Sequence, residues 1–214
     1  MNSRQAILDN IRRALGRAAG QGMAPLAAPR LQIPLSDRNQ YSSLFVRNFE
    51  NLNGKSFSAL EPGAVVGVLA ELLKGKKVVA SNAPYLVECG ITALPEVQPG
   101  FTDREKLRAA CAQADIGITS ADYALADTGT LVMLAGPAEA RLISLLPPAH
   151  IAVFPRSRLL SGLDELLAIL PDPAEQTSSM VLITGPSRTA DIEQILVRGV
   201  HGPGDIYAVM VEHS

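Results

Sequence analysis

The chain of 214 residues fits one large domain, or one domain with an appended terminal segment. Its composition, 47% hydrophobic and 19% charged, is sufficient for a sizeable core and excludes the disordered class of proteins. The net charge of −2 argues against a dedicated nucleic-acid binder, and no apolar run approaches membrane-spanning length.

The N-terminus does not read as a signal peptide, because Arg12, Arg13 and Arg17 interrupt it and no apolar segment follows. We therefore expect a cytoplasmic protein with no membrane span. The two cysteines, Cys89 and Cys111, are far apart and lack the spacing of metal ligands. We expect no metal and no iron–sulfur cluster to be bound by this chain alone.

The first part of the chain predicts an amphipathic helix over Ser3–Arg17, with Ser3 as its N-cap. Its apolar stripe consists of Ile7, Leu8, Ile11 and Leu15. The arginines lie off that stripe, where a solvated face is favoured over a basic docking surface. Gly20–Asp37 is rich in glycine and proline, which is typical of a linker. We predict residues 1–40 as an N-terminal helix and Pro/Gly-rich linker, and residues 41–214 as the main domain.

Helical patterns alternate with short apolar runs through the main domain. The predicted helices are Tyr41–Leu52, Pro62–Leu73, Pro84–Cys89, Thr102–Ala114, Ala138–Leu146, Ser161–Leu170 and Thr189–Leu196. The predicted strands are Ser56–Leu60, Lys77–Ser81, Ile116–Thr119, Tyr123–Ala126, Thr130–Ala135, Ile151–Phe154, Met180–Thr184 and Asp205–Val211. A capping box is predicted at Thr102 and Glu105, and Ser161 is predicted as a second N-cap. This alternation predicts an α/β fold with a mixed, largely parallel sheet and helices on both faces, the Tyr123–Ala135 hairpin making the sheet mixed.

The segment from Thr184 to Thr189 leaves a predicted strand and enters a predicted helix, which is where open α/β sheets bind ligands. Backbone N–H groups and hydroxyls at a helix start can hold a carboxylate or phosphate, and an arginine adds a bidentate contact. The predicted substrate-binding residues are Thr184, Gly185, Ser187, Arg188 and Thr189. Ordinary helix capping explains the same residues equally well, and two acidic residues that follow weaken the anion interpretation.

Two further turns carry candidate residues. The turn from Asp127 to Thr130 needs no function as a bare hairpin turn, and that interpretation is favoured unless the turn faces the Thr184 segment. If it does, Asp127 is an acid/base group, while Thr128, Gly129 and Thr130 bind substrate. His201, in the glycine-rich turn Gly199–Gly204, is either a general base or a solvated loop histidine, and the pattern favours neither.

Four segments together closely resemble the LUD-domain family and, within it, the lactate utilization protein C type. These segments are Ala121–Thr130, Pro147–Ile151, Ile183–Glu193 and Gly199–Pro203. Each segment alone is a weak signal, whereas the combination is specific. The resemblance extends over roughly residues 76–212, and the opening helix also fits.

The resemblance implies a fold similar to the NagB/RpiA/CoA-transferase-like group. It also implies a role in oxidising L-lactate to pyruvate within a three-protein system, whose other two members carry the iron–sulfur clusters. The isolated cysteines of this chain suit the cluster-free member. No segment matches the catalytic glutamate motif of CoA transferases, so acyl transfer to CoA is not expected.

Three hypotheses remain open from the sequence. In the first, the chain binds a small carboxylate through Arg188, and His201 or Asp127 takes the hydroxyl proton. In the second, it is a non-catalytic assembly protein for two iron–sulfur-containing lactate utilization proteins. In the third, which rests on fold analogy alone, it is a stand-alone enzyme on a small phosphorylated or carboxylate substrate.

Overall fold

The computed structural model describes residues 3–16, 18, 39–190 and 196–213. The chain divides into two units, residues 1–30 and 31–214. In the first unit, α1 (Ser3–Ala14) confirms the predicted amphipathic helix and has no buried residue. Most of the predicted linker lies outside the described residues, so the boundary between residues 40 and 41 stays a prediction.

The second unit contains short strands and helices in alternation. Its strands are β1 (Lys55–Ala59), β2 (Val78–Ala80), β3 (Val97–Gln98), β4 (Ile116–Ser120), β5 (Tyr123–Leu125), β6 (Thr130–Leu134), β7 (Ala149–Pro155), β8 (Leu159–Leu160), β9 (Met180–Ile183), β10 (Arg188–Ala190), β11 (Leu196–Arg198) and β12 (Asp205–Val211). Its α-helices are α2 (Asn39–Asn51), α3 (Val65–Leu73), α4 (Pro84–Glu88), α5 (Arg104–Gln113), α6 (Leu163–Ile169) and α7 (Pro173–Gln176). Single 3-10 turns span Pro62–Ala64, Ile91–Ala93, Arg141–Ser144 and Arg156–Arg158.

The largest sheet has six strands in the order β1-β12-β7-β4-β2-β3, and every neighbouring pair is parallel. A second sheet has the order β8-β5-β6-β9, in which β6 is antiparallel to both β5 and β9. The strands β10 and β11 form a separate antiparallel pair. The predicted α/β class, with parallel and antiparallel strands, is confirmed.

The β5–β6 hairpin, however, lies outside the parallel sheet, because β2 and β7 already pair with both edges of β4. A strand whose two edges are hydrogen-bonded offers no free backbone groups to a hairpin that follows it. The hairpin therefore starts a second layer, which packs on the first through a shared apolar core.

Helices cover both faces of the parallel sheet, as predicted. On one face, α3 and α4 bury Leu69 and Leu86 against Ile118 and Ile151 of the central strands. On the other face, α2 and the second sheet form one core, and α5 forms a smaller core beside it. The helix α6 covers the second sheet through a further cluster around Leu166. Because each fully buried aliphatic side chain contributes about 1.5–3 kcal/mol, these cores hold the layers together.

Two predicted helices are wrong. Only the 3-10 turn Arg141–Ser144 forms where a helix was predicted over Ala138–Leu146. Its backbone packs tightly on β4, since a Cβ added to Gly117 would lie 2.0 Å from the carbonyl oxygen of Ile143. The predicted helix Thr189–Leu196 is replaced by the strands β10 and β11, with the residues between them outside the described part of the chain.

Two of the predicted helix caps, Thr102 and Ser161, are also wrong. Asp103, not Thr102, caps α5, and its carboxylate accepts a hydrogen bond from the Lys106 N–H at 2.8 Å. Gly162 stands at the start of α6, and Ser161 instead donates its N–H and hydroxyl to Glu165, both at 2.7 Å. None of the helices in the described ranges is long and apolar enough to cross a membrane.

His150 is the second residue of β7 and is fully buried. Its Nε2 lies 2.7 Å from the hydroxyl of Thr119, and its Nδ1 is buried without a hydrogen-bond partner. Burial lowers the pKa of His150 to about 3 from its usual value of 6.5. The imidazole is therefore neutral in the folded protein throughout the neutral range.

This burial predicts a loss of stability in acid. Between about pH 6.5 and pH 3 the unfolded chain binds a proton at residue 150 that the folded chain does not bind. The free energy of unfolding therefore falls as the pH falls. We expect a contribution of about 1.4 kcal/mol per pH unit to the free energy of unfolding. In urea unfolding measured between pH 7 and pH 4, His150→Gln should remove this contribution, so the stability of the variant relative to the wild type should rise by about 1.4 kcal/mol per pH unit as the pH falls below 6.5. His201→Gln, at an exposed histidine, should retain it, and equal slopes for wild type and His150→Gln would contradict the prediction.

Candidate functional site

A chain of hydroxyl groups joins two of the predicted segments. Thr128 donates to the carboxylate of Asp127 at 3.1 Å, and Thr130 donates to Thr128 at 2.8 Å. The hydroxyl of Thr184 lies 2.8 Å from that of Thr130. Because each hydroxyl has one proton, Thr184 is the donor to Thr130 when all these bonds form together. Every donor in the series then points toward Asp127.

Strand register brings the two segments together. In the antiparallel β6–β9 pair, Leu131 is opposite Ile183, so Thr130 and the residue after β9 are the next pair along. The Asp127–Thr130 turn therefore faces the Thr184 segment, which was the condition for giving it a role in the site. Thr130 is 3% exposed, whereas Asp127, Thr128 and Thr184 are all exposed to solvent.

The helix α2 fixes the backbone of this turn. The side-chain amide of Asn48 donates to the carbonyl oxygens of Ala126 and Asp127, at 2.9 and 2.8 Å. Gly129 has a φ of +63°, and a Cβ added there would lie 2.4 Å from the backbone nitrogen of Phe49. Glycine at this position is thus explained by close packing on α2, independently of any ligand.

The carboxylate of Asp127 lies against the backbone at the start of α6. A Cβ added to Gly162 would lie 2.3 Å from one carboxylate oxygen of Asp127. A negative side chain near the first turn of a helix is stabilising, which provides a structural reason for Asp127. This position leaves its other oxygen as the acceptor for Thr128.

The Thr184–Thr189 segment is held by α2 and by the glycine-rich turn. Arg188 is exposed and donates to the carbonyl oxygen of Leu52, which also lies 3.1 Å from a Cβ added to Gly185. The N–H of Ser187 donates to Pro203 at 2.9 Å, and the N–H of Gly199 donates to Ser187 at 3.0 Å. The three predicted segments are therefore connected in series.

Not all of the predicted site residues converge. Thr189 pairs with Val197 in the β10–β11 ladder. His201 lies in the turn bonded to Ser187 and its side chain is exposed. No contact among the described residues joins its ring to Asp127 or to Arg188. A role for His201 as a base stays a prediction.

The expectation that the Thr184–Thr189 segment enters a helix is wrong, whereas its binding of an anion stays a prediction. The strand β9 belongs to the second sheet and runs antiparallel to its neighbour, so the segment after it is not at the carboxyl edge of the parallel sheet. The next element in the described chain is the strand β10. The aligned N–H groups of a helix start are therefore replaced by a loop in which Ser187 already donates to Pro203.

The carboxyl edge of the parallel sheet carries a different group, Glu139. One of its carboxylate oxygens accepts from the Ser81 hydroxyl at 2.8 Å and from the Ser120 N–H at 3.3 Å. Its other oxygen is buried without a partner. Burial raises the pKa of Glu139 to about 8, with Asp122 adding to the effect and both hydrogen bonds opposing it.

Sequence reasoning missed Glu139 because its partners are 58 and 19 residues away along the chain. The available local signal was a carboxylate two residues after Gly136-Pro137, in the first turn of a predicted helix. A nearby carboxyl, Asp122, accepts from the N–H of Leu134 at 2.7 Å, and burial raises its pKa as well.

The comparisons with known proteins agree with this architecture. The family model of the LUD domain matches residues 39–211. The chain belongs to the LUD-domain family. The resemblance expected from the Ala121–Thr130, Ile183–Glu193 and Gly199–Pro203 segments is therefore confirmed.

Two relatives show how far the likeness extends. A lactate utilization protein C of Halalkalibacterium halodurans is 38% identical over 157 residues, which is 70% of this chain and 68% of that protein. A protein of the same name from an Exiguobacterium species is 41% identical over 111 residues, which is 50% of this chain and 48% of that protein. The matched segments thus span about half to two thirds of these relatives.

A solved structure confirms the fold of this LUD-family chain. The crystal structure of a DUF162 family protein from Deinococcus radiodurans superposes with a TM-score of 0.64, covering 83% of this chain and 99% of that one. At 19% sequence identity the likeness shows the fold alone.

In the described part of this LUD-family chain, no group of three or more His, Cys, Asp or Glu residues is placed to hold a metal ion. Both cysteines are buried, and burial raises the pKa of each thiol to about 11. Each thiol is therefore protonated near pH 7, which does not favour metal binding or nucleophilic attack.

Close packing at Gly129 generates a stability prediction. Gly129→Ala should lower the free energy of unfolding by about 2–5 kcal/mol, because it combines a strained left-handed backbone with a clash against α2. Gly75→Ala is the matched control, since Gly75 has a φ of +69° but nothing within 4 Å of an added Cβ. It should cost only about 1–2 kcal/mol in the same urea unfolding experiment. Equal costs would show that α2 does not constrain the turn.

Proposed function

We propose that this chain is the cluster-free component of a cytoplasmic multi-protein system that oxidises L-lactate to pyruvate. Membership of the LUD-domain family and the two relatives named lactate utilization protein C support a role in lactate utilization. The observation that carries the site assignment is the contact between Thr130 and Thr184, which joins two of the four segments that carried the family resemblance.

In this proposal the exposed guanidinium of Arg188 binds the carboxylate of the substrate. Its bond to the carbonyl oxygen of Leu52 fixes its orientation, and an arginine has further N–H groups for bidentate contact. The exposed hydroxyl of Thr184 binds beside it. His201 or Asp127 accepts the hydroxyl proton. The hydrogen on the hydroxyl-bearing carbon leaves with both electrons as a hydride, which passes to a hydride-accepting cofactor of a partner protein. The two electrons then pass to the iron–sulfur clusters of the two partner lactate utilization proteins.

The site assignment is tested in the reconstituted three-protein system. Arg188→Ala should raise KM for L-lactate by about tenfold to a hundredfold, because a charged hydrogen bond contributes about 1.5–3 kcal/mol. His201→Ala should lower kcat by about a hundredfold or more if it is the base. Arg47→Ala, at an exposed arginine on α2, is the control and should change neither constant. Unchanged lactate oxidation in both the Arg188 and His201 variants would show that the site is elsewhere.

A second candidate function is non-catalytic assembly of the iron–sulfur partners, and α1 provides the observation that favours it. Its apolar residues Ile7, Ile11 and Leu15 are 59%, 50% and 61% exposed. An apolar stripe of this kind on a helix fits the groove of a partner protein. In this alternative the loops around Thr184 are structural only.

The assembly role predicts that deletion of residues 1–20 abolishes co-purification with the two iron–sulfur proteins. Ile11→Asp should weaken co-purification in the full-length chain, because it places a charge within the apolar stripe. Asn10→Asp introduces the same charge off the stripe and should retain the partners. Intact complexes after the deletion would exclude this role for α1.

A further inference from the structure

The hydroxyl chain from Thr184 to Asp127 has one favoured direction, which the carboxylate sets. A carboxylate only accepts hydrogen bonds, so the hydroxyl of Thr128 donates to Asp127. The oxygen of Thr128 then accepts from Thr130 at 2.8 Å, and the oxygen of Thr130 accepts from Thr184 at 2.8 Å. Because hydroxyls in such a chain polarise one another, each bond strengthens the next and disfavours the reverse orientation.

Thr130 is the buried link of this chain. It is 3% exposed, whereas Thr184 at the outer end is exposed to solvent. A buried hydroxyl keeps its hydrogen bonds within the protein, since water cannot replace its partners. The turn that carries Thr130 is itself held by the side chain of Asn48 and by the close packing of Gly129 on α2. The oxygen of Thr130 therefore stays in place to accept the proton of Thr184.

This arrangement decides what Thr184 offers to a ligand. A threonine hydroxyl has one proton and two lone pairs, and the proton of Thr184 points inward to Thr130. The exposed side of the oxygen then presents only lone pairs. It accepts a hydrogen bond from a hydroxyl group, and it repels the lone pairs of a carbonyl or carboxylate oxygen.

The guanidinium of Arg188 lies beside the residue that follows Thr184. It donates to the carbonyl oxygen of Leu52, and the same oxygen lies 3.1 Å from a Cβ added to Gly185. In a 2-hydroxy acid the hydroxyl and the carboxylate are attached to adjacent carbon atoms. An exposed guanidinium next to an exposed acceptor oxygen matches this pair of groups, because the guanidinium binds the carboxylate and the acceptor binds the hydroxyl.

We propose that Thr130 is a positioning residue that makes Thr184 an acceptor for the hydroxyl of a 2-hydroxy acid whose carboxylate binds Arg188. Thr130 does not touch the ligand. A 2-oxo acid has a carbonyl oxygen in place of the hydroxyl, so it meets the lone pairs of Thr184 and binds less tightly. The orientation of one hydroxyl thus favours the substrate over its oxidised product. This inference rests on the proposed function, since it takes Arg188 and Thr184 as the site for lactate.

Calorimetric titration of the reconstituted three-protein system tests the proposal with two ligands that cannot lose a hydride there. The first, 2-hydroxyisobutyrate, has the hydroxyl but no hydrogen on the carbon that bears it, and the second, pyruvate, has a carbonyl instead. The wild type should bind 2-hydroxyisobutyrate about tenfold more tightly than pyruvate. Thr130→Val leaves the proton of Thr184 free to turn outward, so pyruvate should bind about tenfold more tightly and the preference should be lost.

Three further variants separate positioning from a structural role. Thr130→Ser keeps the hydroxyl and should keep the preference. Thr128→Ala, at an exposed residue, removes the acceptor of Thr130, whose proton can then turn to Thr184, so the preference should again be lost. Thr177→Val removes a threonine hydroxyl before β9, at the opposite end from Thr184, and should change neither affinity. Circular dichroism of each variant separates loss of binding from loss of folding.

The proposal is overturned by a wild type that binds both ligands equally or prefers pyruvate, and by a preference that persists in both Thr130→Val and Thr128→Ala. Failure of the proposed function gives a different result, because Arg188→Ala would then leave both affinities unchanged. If Arg188→Ala weakens both ligands while Thr130→Val keeps the preference, the site is correct and the role of Thr130 is wrong. A wild type that binds neither ligand would overturn both.

Discussion

The packing of α2 between the two sheets is the contact on which the rest of the structure depends. Phe45 stacks on Phe49 with ring centroids 5.4 Å apart, and its edge meets Phe154 of β7 at 5.5 Å. All three rings are at most 1% exposed. Because aromatic pairs in these geometries add to the energy of burial, they anchor α2 on the parallel sheet. The same helix holds the hairpin turn through Asn48 and the close approach to Gly129.

This arrangement separates the polar groups of the domain into two centres. The second sheet carries the Asp127–Thr184 hydroxyl chain away from the carboxyl edge of the parallel strands. Glu139 lies at that edge instead, in the turn that begins at Gly136. The hydroxyl chain ends at an exposed carboxylate, whereas burial raises the pKa of the acid at the sheet edge.

Local patterns were enough to predict most elements of this fold. The apolar runs of β7 and β12 and the amphipathic spacing of α2 depend on residues within one segment, and the structure places them within two residues of their predicted bounds. The hairpin turn could also be predicted from its sequence. The sheet that the hairpin joins could not, because that depends on which edges of β4 are already paired. The contact of Thr130 with Thr184 depends on register between distant strands, and the environment of Glu139 depends on hydrogen bonds from residues 58 and 19 positions away. Such nonlocal properties leave no periodic signal in the chain.

Two buried groups give the stability of this domain opposing dependences on pH. His150 has a lowered pKa, so its burial costs stability as the pH falls from 6.5 toward 3. Glu139 has a raised pKa, so its burial costs stability as the pH rises from 4.5 toward 8. Between pH 4.5 and 6.5 the two slopes have opposite signs and similar size. The two groups together therefore leave the free energy of unfolding nearly independent of pH in this range.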